Sequence, residues 1–394
     1  MPTDIYQQLL QTPRAQLVDI ALAGLNRQGE LVAQLIERVQ KQISGSANPL
    51  PPWDPRPTSC PPIYLAGCGD SYFAAISSRL AFEQLTRIPT TALDAMELAR
   101  YTLLPSGSLV ILISSGGYVS ATLEAGRVAR QAGVAVLGIT AQKDSPLAQE
   151  FPCLTTDLDP SGSDPVDQVA LMLGNFSFSL AALLLIAIQL GRRIGVLEQT
   201  TIDEIQTHIR ALPTAIDRAM EHSADINRYL ESVSDEADFY FLGAGPSHGV
   251  ALFYQAKFFE QAQRPVYAAQ LEEFTHEQFF LLGPGQDAQI WFIAPHGQSL
   301  ERARETIAAC REMGAHTIAV TQCTQQPRDD WAPIDADRVF AIDATSEILS
   351  PLSAIVPGEL LSIHAFARWG SGPLSASERR RQMAISKHLT RKEA

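Results

Sequence analysis

An apolar strand-like run that ends in glycines and passes straight into a helix start occurs twice in this chain: YLAGCGDSYFAA at 64–75 and FLGAGPSHGVAL at 241–252. Gly243, Gly245 and Ser247 stand where Gly67, Gly69 and Ser71 stood. After the first run come a second strand pattern, SLVILISSGG, a helical stretch, VSATLEAGRVARQAG, and a third strand pattern, VAVLGIT. After the second run the same order returns, and 290–321 lies on 109–140 without a gap, Gly314 on Gly133 and Thr321 on Thr140. Strands alternating with helices of crossover length form a parallel sheet covered by helices, and self-similarity at this scale means two copies of one unit. The expected fold is α/β, two tandem doubly wound parallel-sheet domains of the flavodoxin-like kind with helical N- and C-terminal extensions.

The rest of the chain arranges itself around those two runs. A helical segment, 1–45, precedes a proline-rich linker, SANPLPPWDPRPTSCPP at 46–62, in which neither helix nor sheet can propagate. The first domain is then 63–197, a helical connector containing Pro213 is 198–234, the second domain is 235–350, and 351–394 is a C-terminal helix and tail. A length of 394 residues suits two domains, and 46% hydrophobic with 19% charged residues describes a chain that buries real cores. A net charge of −13 disfavours an extended nucleic-acid surface, which needs clustered Lys and Arg, so no nucleic-acid partner is expected. Cys60, Cys68, Cys153, Cys310 and Cys323 are scattered with no CxxC, so neither a disulfide framework nor a zinc site is expected.

One stretch tests the expectation of a soluble protein. Val169 to Leu190 is long and apolar enough for a membrane span, but Asn175, Ser177, Ser179 and Gln189 interrupt it and no second span accompanies it. We read it as a buried helix. With no basic, apolar leader in MPTDIYQQLLQTPR, the expected location is the cytoplasm and no membrane partner is expected.

A strand, glycine turn and helix start aims backbone N–H groups and a helix dipole at an anion, so small anionic molecules are the natural ligands. Against this, Asp70 puts a carboxylate in the first turn. Two roles stand open for it: satisfying the free N–H groups of the helix start, or gripping hydroxyls or an ammonium group of a ligand. GAGPS falls short of GxGxxG, and no pair of histidines or carboxylates has metal-ligand spacing, so no dinucleotide, metal or other cofactor is expected. His248 and His296 read as surface residues near helix starts.

GCGDS after a strand, SLVILISSGG with its T-L-E-A helix, A-K-F-F-E, and the later E-E-F-T-H together resemble the tandem sugar isomerase (SIS) family. That family includes the isomerase half of glucosamine-6-phosphate synthase and free-standing amino-sugar phosphate deaminases and isomerases. The resemblance implies opening of a sugar-phosphate ring and proton transfer between C1 and C2, with Glu260 as the proton-transfer base, His276 as the ring-opening acid/base and Lys257 as a substrate contact. Without the family, Lys257 and Glu260 three apart would be an ordinary solvated pair, and His276 an ordinary loop residue. The resemblance also implies a substrate loop closed by Ser71, here Cys68, Gly69, Asp70 and Ser71 with Asp70 standing where the family commonly has a hydroxyl residue, and a phosphate turn with Ser114 and Ser115. Gly116 and Val119 stand where the family has hydroxyls, and Ser120 could serve only if the turn shifts.

The family completes its site with a neighbouring subunit's histidine, so a homodimer is implied. The family's tail lysine, which can form a Schiff base with the ketose, is here Ile385, with Lys387 two residues on and Arg379, Arg380 and Arg381 before it, so imine catalysis at that place is not expected. No glutaminase half is present in the sequence. The expected substrate is a sugar phosphate or amino-sugar phosphate, with deamination fitting better than synthesis. The rival is a non-catalytic sugar-phosphate-binding regulatory protein.

Overall fold

The computed structural model describes residues 9, 11–46, 48–53, 61–158, 164–322, 334–343 and 346–370. They divide into two compact units, one running up to Thr207 and one from His208 to Gly370. The division falls inside the helix Gln199–Met220, which contains Pro213.

In the first unit, α1 (Arg14–Leu25) and α2 (Gln28–Ser44) precede the sheet. The order is then β1 (Ile63–Gly67), α3 (Asp70–Thr86), β2 (Thr90–Asp94), α4 (Ala95–Tyr101), β3 (Leu109–Ile113), α5 (Ser120–Gln131), β4 (Ala135–Thr140), α6 (Pro146–Glu150), β5 (Cys153–Thr155), α7 (Pro165–Leu173) and α8 (Asn175–Ile194). All strand pairs are parallel and the spatial order is β2-β1-β3-β4-β5. Every residue of β1 and β3 is buried, as central strands covered on both faces must be. The long apolar run read as one buried helix is broken at Gly174: Val169–Leu173 end α7, where only Ala170 is buried, and Asn175 onward forms α8, whose residues up to Gly191 are nearly all buried, packed against α2 and α3. This α8 is the one helix among the described residues long and apolar enough to cross a membrane. The proline-rich segment is anchored where it is described: Arg193 donates to the carbonyl of Pro51 at 2.8 Å, and the Trp53 indole donates to that of Gly107 at 2.5 Å.

In the second unit, α9 (Gln199–Met220) and α10 (Ser223–Ser232) lead into β6 (Asp238–Gly243), α11 (Pro246–Lys257), β7 (Tyr267–Gln270), α12 (Leu271–His276), β8 (Ala288–Ile293), α13 (Leu300–Glu312), β9 (His316–Gln322), β10 (Arg338–Ile342) and α14 (Pro351–Trp369). The sheet is again parallel, in the order β10-β9-β8-β6-β7, which read from the other edge is the order of the first sheet. Its core is aromatic, with Tyr240, Phe274 and Phe292 buried together.

The gapless match between the two units needs one correction. Ile111 pairs with Leu65 in the first sheet as Trp291 pairs with Phe241 in the second, whereas Leu137 lies beside Ile111 and Ile318 beside Trp291, one residue further along than the gapless count allows from those strands. The second unit therefore carries one extra residue between its β8 and β9, and the match that aligns Gly133 with Gly314 places β3 one residue out of register. The turns after β3 and β8 have the same length, and α13 has 13 residues where α5 has 12, so the added residue falls within the helix, where one more residue leaves no mark in the strand patterns.

Candidate active site

Glycine is required at the end of β1 for a steric reason. A Cβ on Gly67 would lie 2.6 Å from that of Ser71 and 2.9 Å from the carbonyl oxygen of Ile113, so only a bare backbone lets α3 begin so close to the sheet. Gly69 then caps α3 with φ 56° and ψ −130°, a conformation that side chains strongly disfavour. The second unit repeats this geometry at Gly245, with φ 52° and ψ −126° before α11. No side chain caps α3, and Asp70 is its first residue rather than its cap, placed where a negative charge suits the positive end of the helix. Cys68 is half-buried; burial, helped by the Asp94 carboxylate, pushes its thiol pKa up, away from a reactive thiolate.

The turn after β3 is braced from within. Ser114 is buried and takes the Gly117 N–H on its carbonyl oxygen at 3.0 Å and on its hydroxyl oxygen at 3.2 Å. The Ser115 carbonyl accepts from Ala141 N–H at 2.9 Å and from the Thr140 hydroxyl at 3.1 Å. Gly117, at φ 70°, packs so tightly on Ser145 that no Cβ could fit. Ser120 opens α5 with Val119 as its cap residue and no side-chain cap; Tyr118 and Val119 are exposed at the rim.

Ser115 and Gly116 line a cleft of about 200 Å³ at the carboxyl ends of β3, β4 and β5, where open α/β sheets hold their ligands. Gln142 follows β4, Thr156 and Asp157 follow β5, and Gln168 and Asn175 come from α7 and α8. Asp157 is paired with Arg38. Sequence reasoning missed these wall residues, and Asn175 registered there only as a polar break in an apolar run. The rule that ligands sit at the carboxyl ends of parallel strands was the available signal.

In the second unit, α11 continues without a break into a π-helical turn, Phe258–Ala262, which ends at Gln263 in the left-handed region, φ 56°. Glu260 sits on that turn with its carboxylate Oε2 2.6 Å from the ammonium of Lys257. Lys257 is mostly covered, and its ammonium lies 5.1 Å from the centre of the Phe253 ring. Single π turns inside helices recur at functional sites because they redirect one side chain.

His276 ends α12 and is exposed. Its Nε2 lies 3.3 Å from Glu272 Oε1, while Arg302 grips the same carboxylate from α13 at 2.7 and 3.1 Å. Arg302, then His276, hold the Glu272 carboxyl below the usual range. Glu260 and His276 share no hydrogen bond or ion pair. So the structure joins Lys257 to Glu260 and puts His276 in a separate cluster. Burial pushes the pKa of His248 down; burial, then Arg304, does the same for His296. Among the described residues no group of three or more His, Cys, Asp or Glu could hold a metal ion. Ile385, Lys387, Arg379, Arg380 and Arg381 lie outside the described residues, as do Cys60 and Cys323.

Two parallel five-stranded sheets of one strand order, flanked by helices and carrying glycine turns at their carboxyl ends, are the α/β SIS fold, and residues 58–183 match the SIS domain family. Within that class the chain is similar to a glutamine–fructose-6-phosphate aminotransferase (isomerizing) of Gloeobacter violaceus, 28% identical over 315 residues that cover 78% of this chain and 49% of the relative. The chain thus spans about half the length of the curated relatives it matches. Among solved structures, the C-terminal domain of a glucosamine-fructose-6-phosphate aminotransferase from Francisella tularensis superposes with TM-score 0.76 at 19% identity, covering 89% of this chain and 96% of that one. A tagatose-6-phosphate ketose/aldose isomerase from Escherichia coli gives 0.68 at 14%, covering 89% and 93%. A glucosamine-6-phosphate deaminase from Thermotoga maritima gives 0.59 at 18%, covering 88% and 96%.

Proposed function

We propose that this protein is a cytoplasmic enzyme acting on a phosphorylated hexose or amino-hexose, as an aldose–ketose isomerase or a deaminating isomerase, by proton transfer between C1 and C2. One observation carries the reading: an exposed carboxylate, Glu260, is presented on a π turn and held at 2.6 Å by a mostly covered lysine. A carboxylate so placed is oriented, which is what a base that removes a proton next to a carbonyl needs. Lys257 then contacts substrate, and His276, supplied by a second copy of the chain in a homodimer, opens the ring. Ser71, Ser115 and the backbone of the turn after β3 hold the phosphate, with the hydroxyl of Ser114 bracing that turn. Asp70, beside them, faces sugar hydroxyls or an amine.

The weakened hydroxyl set at Gly116 and Val119 favours a second reading, a sugar-phosphate-binding regulatory protein. Incubation with glucosamine 6-phosphate, an N-acetylgalactosamine-type phosphate and fructose 6-phosphate in deuterated water separates the two. Deuterium at C2, with or without ammonia, supports the enzyme; binding with no exchange on any of these sugars supports the regulator.

A further inference from the structure

The imidazole of His276 has a carboxylate on one side, and that carboxylate is fixed from elsewhere in the unit. Glu272 lies one helical turn before His276 on α12. Its two oxygens are taken as a fork by Arg302 of α13, Nε to Oε2 at 2.7 Å and Nη2 to Oε1 at 3.1 Å, and Arg302 is steadied in turn by Glu305 at 2.9 Å. Two parallel charge-assisted bonds fix the plane of a carboxylate far better than a single lysine contact does. The remaining contact of Oε1 is Nε2 of His276 at 3.3 Å. An ionised carboxylate only accepts, so the nitrogen facing it must carry the proton.

We propose that Glu272, clamped by Arg302, is a positioning residue that locks His276 in the Nε2–H tautomer and so leaves Nδ1 as the atom that opens the sugar ring. This rests on the functional reading above, in which His276 is the ring-opening group. In the step that follows, Nδ1 takes the proton of the anomeric hydroxyl as the bond from C1 to the ring oxygen breaks. It then gives that proton to the ring oxygen, which leaves the imidazole unchanged and the open-chain carbonyl formed. Throughout, Nε2–H stays on Glu272, whose charge stabilises the transient imidazolium as an orienting carboxylate does beside other catalytic histidines.

The test uses the full chain labelled with ¹⁵N-histidine, with the His276 signals identified by loss in His276→Gln. Long-range ¹H–¹⁵N spectra are recorded where the ring is neutral. The wild type should show the Nε2–H form alone, and Glu272→Ala should relax to the tautomer mixture of a free imidazole, with Arg302→Met moving the same way. In turnover with the sugar found above, Glu272→Ala should lower kcat about tenfold or more while KM stays within about twofold, because it acts on a proton transfer and not on binding. An Nδ1–H form or a free mixture in the wild type, or an unchanged spectrum in Glu272→Ala, overturns the proposal. A locked tautomer in a protein whose His276→Gln variant turns over normally would instead sink the functional reading and leave the positioning intact.

Discussion

Replacing Glu260 by Gln separates chemistry from stability, because the two effects have very different sizes here. The carboxylate is 58% exposed and its partner Lys257 12% exposed, so the pair belongs near the surface class, worth no more than about 1 kcal/mol. Part of that is kept, since the lysine still has the Phe253 ring at 5.1 Å, a contact worth about 0.5–1 kcal/mol at such sites. The expected fall in Tm is therefore at most about 2–4 °C. A positioned base contributes about 10²–10⁴ in rate, or roughly 3–5 kcal/mol at 1.36 kcal/mol per decade. Glutamine keeps the size and one acceptor and cannot take a proton. We expect C2 deuterium exchange, followed by ¹H NMR on folded protein, to drop at least a hundredfold in Glu260→Gln with nearly unchanged melting. Exchange within a few-fold of wild type would refute the assignment of the base. A melting loss large enough to unfold the variant at the assay temperature would refute the claim that the pair is energetically minor.

Three further outcomes follow. Gly69→Ala should cost about 1–3 kcal/mol in urea unfolding through backbone strain alone, because φ is 56° yet an added Cβ meets nothing within 4 Å. His364, buried on α14 with Nε2 3.0 Å from the Ser223 hydroxyl, has its pKa lowered mainly by burial. The folded state thus prefers neutral His364, so its contribution is present above the unfolded histidine pKa of about 6.5 and is lost as pH falls through the lowered folded value. Melting against pH should show that acid limb in the wild type and a smaller one in His364→Gln. Glu347→Ala should lose about 1 kcal/mol in urea unfolding, the size of a lost helix cap, because both its carboxylate oxygens lie 3.3 Å from the Gln298 N–H just ahead of α13.

Much of the fold was legible because burial leaves marks that can be counted. The runs that became β1, β3 and β8 are unbroken apolar strands, and the glycines at 69 and 245 are the residues that a positive φ demands. What was not legible has physical reasons. FFEQA continues the apolar rhythm of α11, and a switch from α to π hydrogen bonding inside such a stretch has no residue signature. Glu272 and Arg302 are thirty positions apart and meet only because α12 and α13 pack together. The cleft walls come from the ends of three strands and two helices, so no local motif contains them. The resemblance supplied Glu260, His276 and Lys257 as residue types; the arrangement of Lys257 against Glu260 and of His276 against Glu272 came only with coordinates.

The two units also explain, by contrast, why the ligand turn is sought in the first. Each places a glycine-containing turn between its third strand and the following helix, and each therefore points N–H groups at the space beyond the sheet. In the second unit that space is taken. A Cβ on Gly297 would collide with the Glu347 carboxylate, which reaches in from the segment after β10 to the Gln298 N–H. Burial raises the pKa of that carboxyl, with the Gln298 N–H pulling the other way, as befits an acid held against a helix start at some desolvation cost. In the first unit the position that answers to Gly297, once β3 and β8 are in register, is Gly117, whose N–H is held by Ser114 and whose added Cβ would strike Ser145; its neighbour Gly116 lines the cleft, and an added Cβ there would find nothing nearer than the Tyr118 ring at 3.7 Å. A carboxylate thus closes the turn in one unit, while in the other Ser114 braces the turn and Ser115 and Gly116 are left facing the cleft, the side from which an anionic ligand would approach.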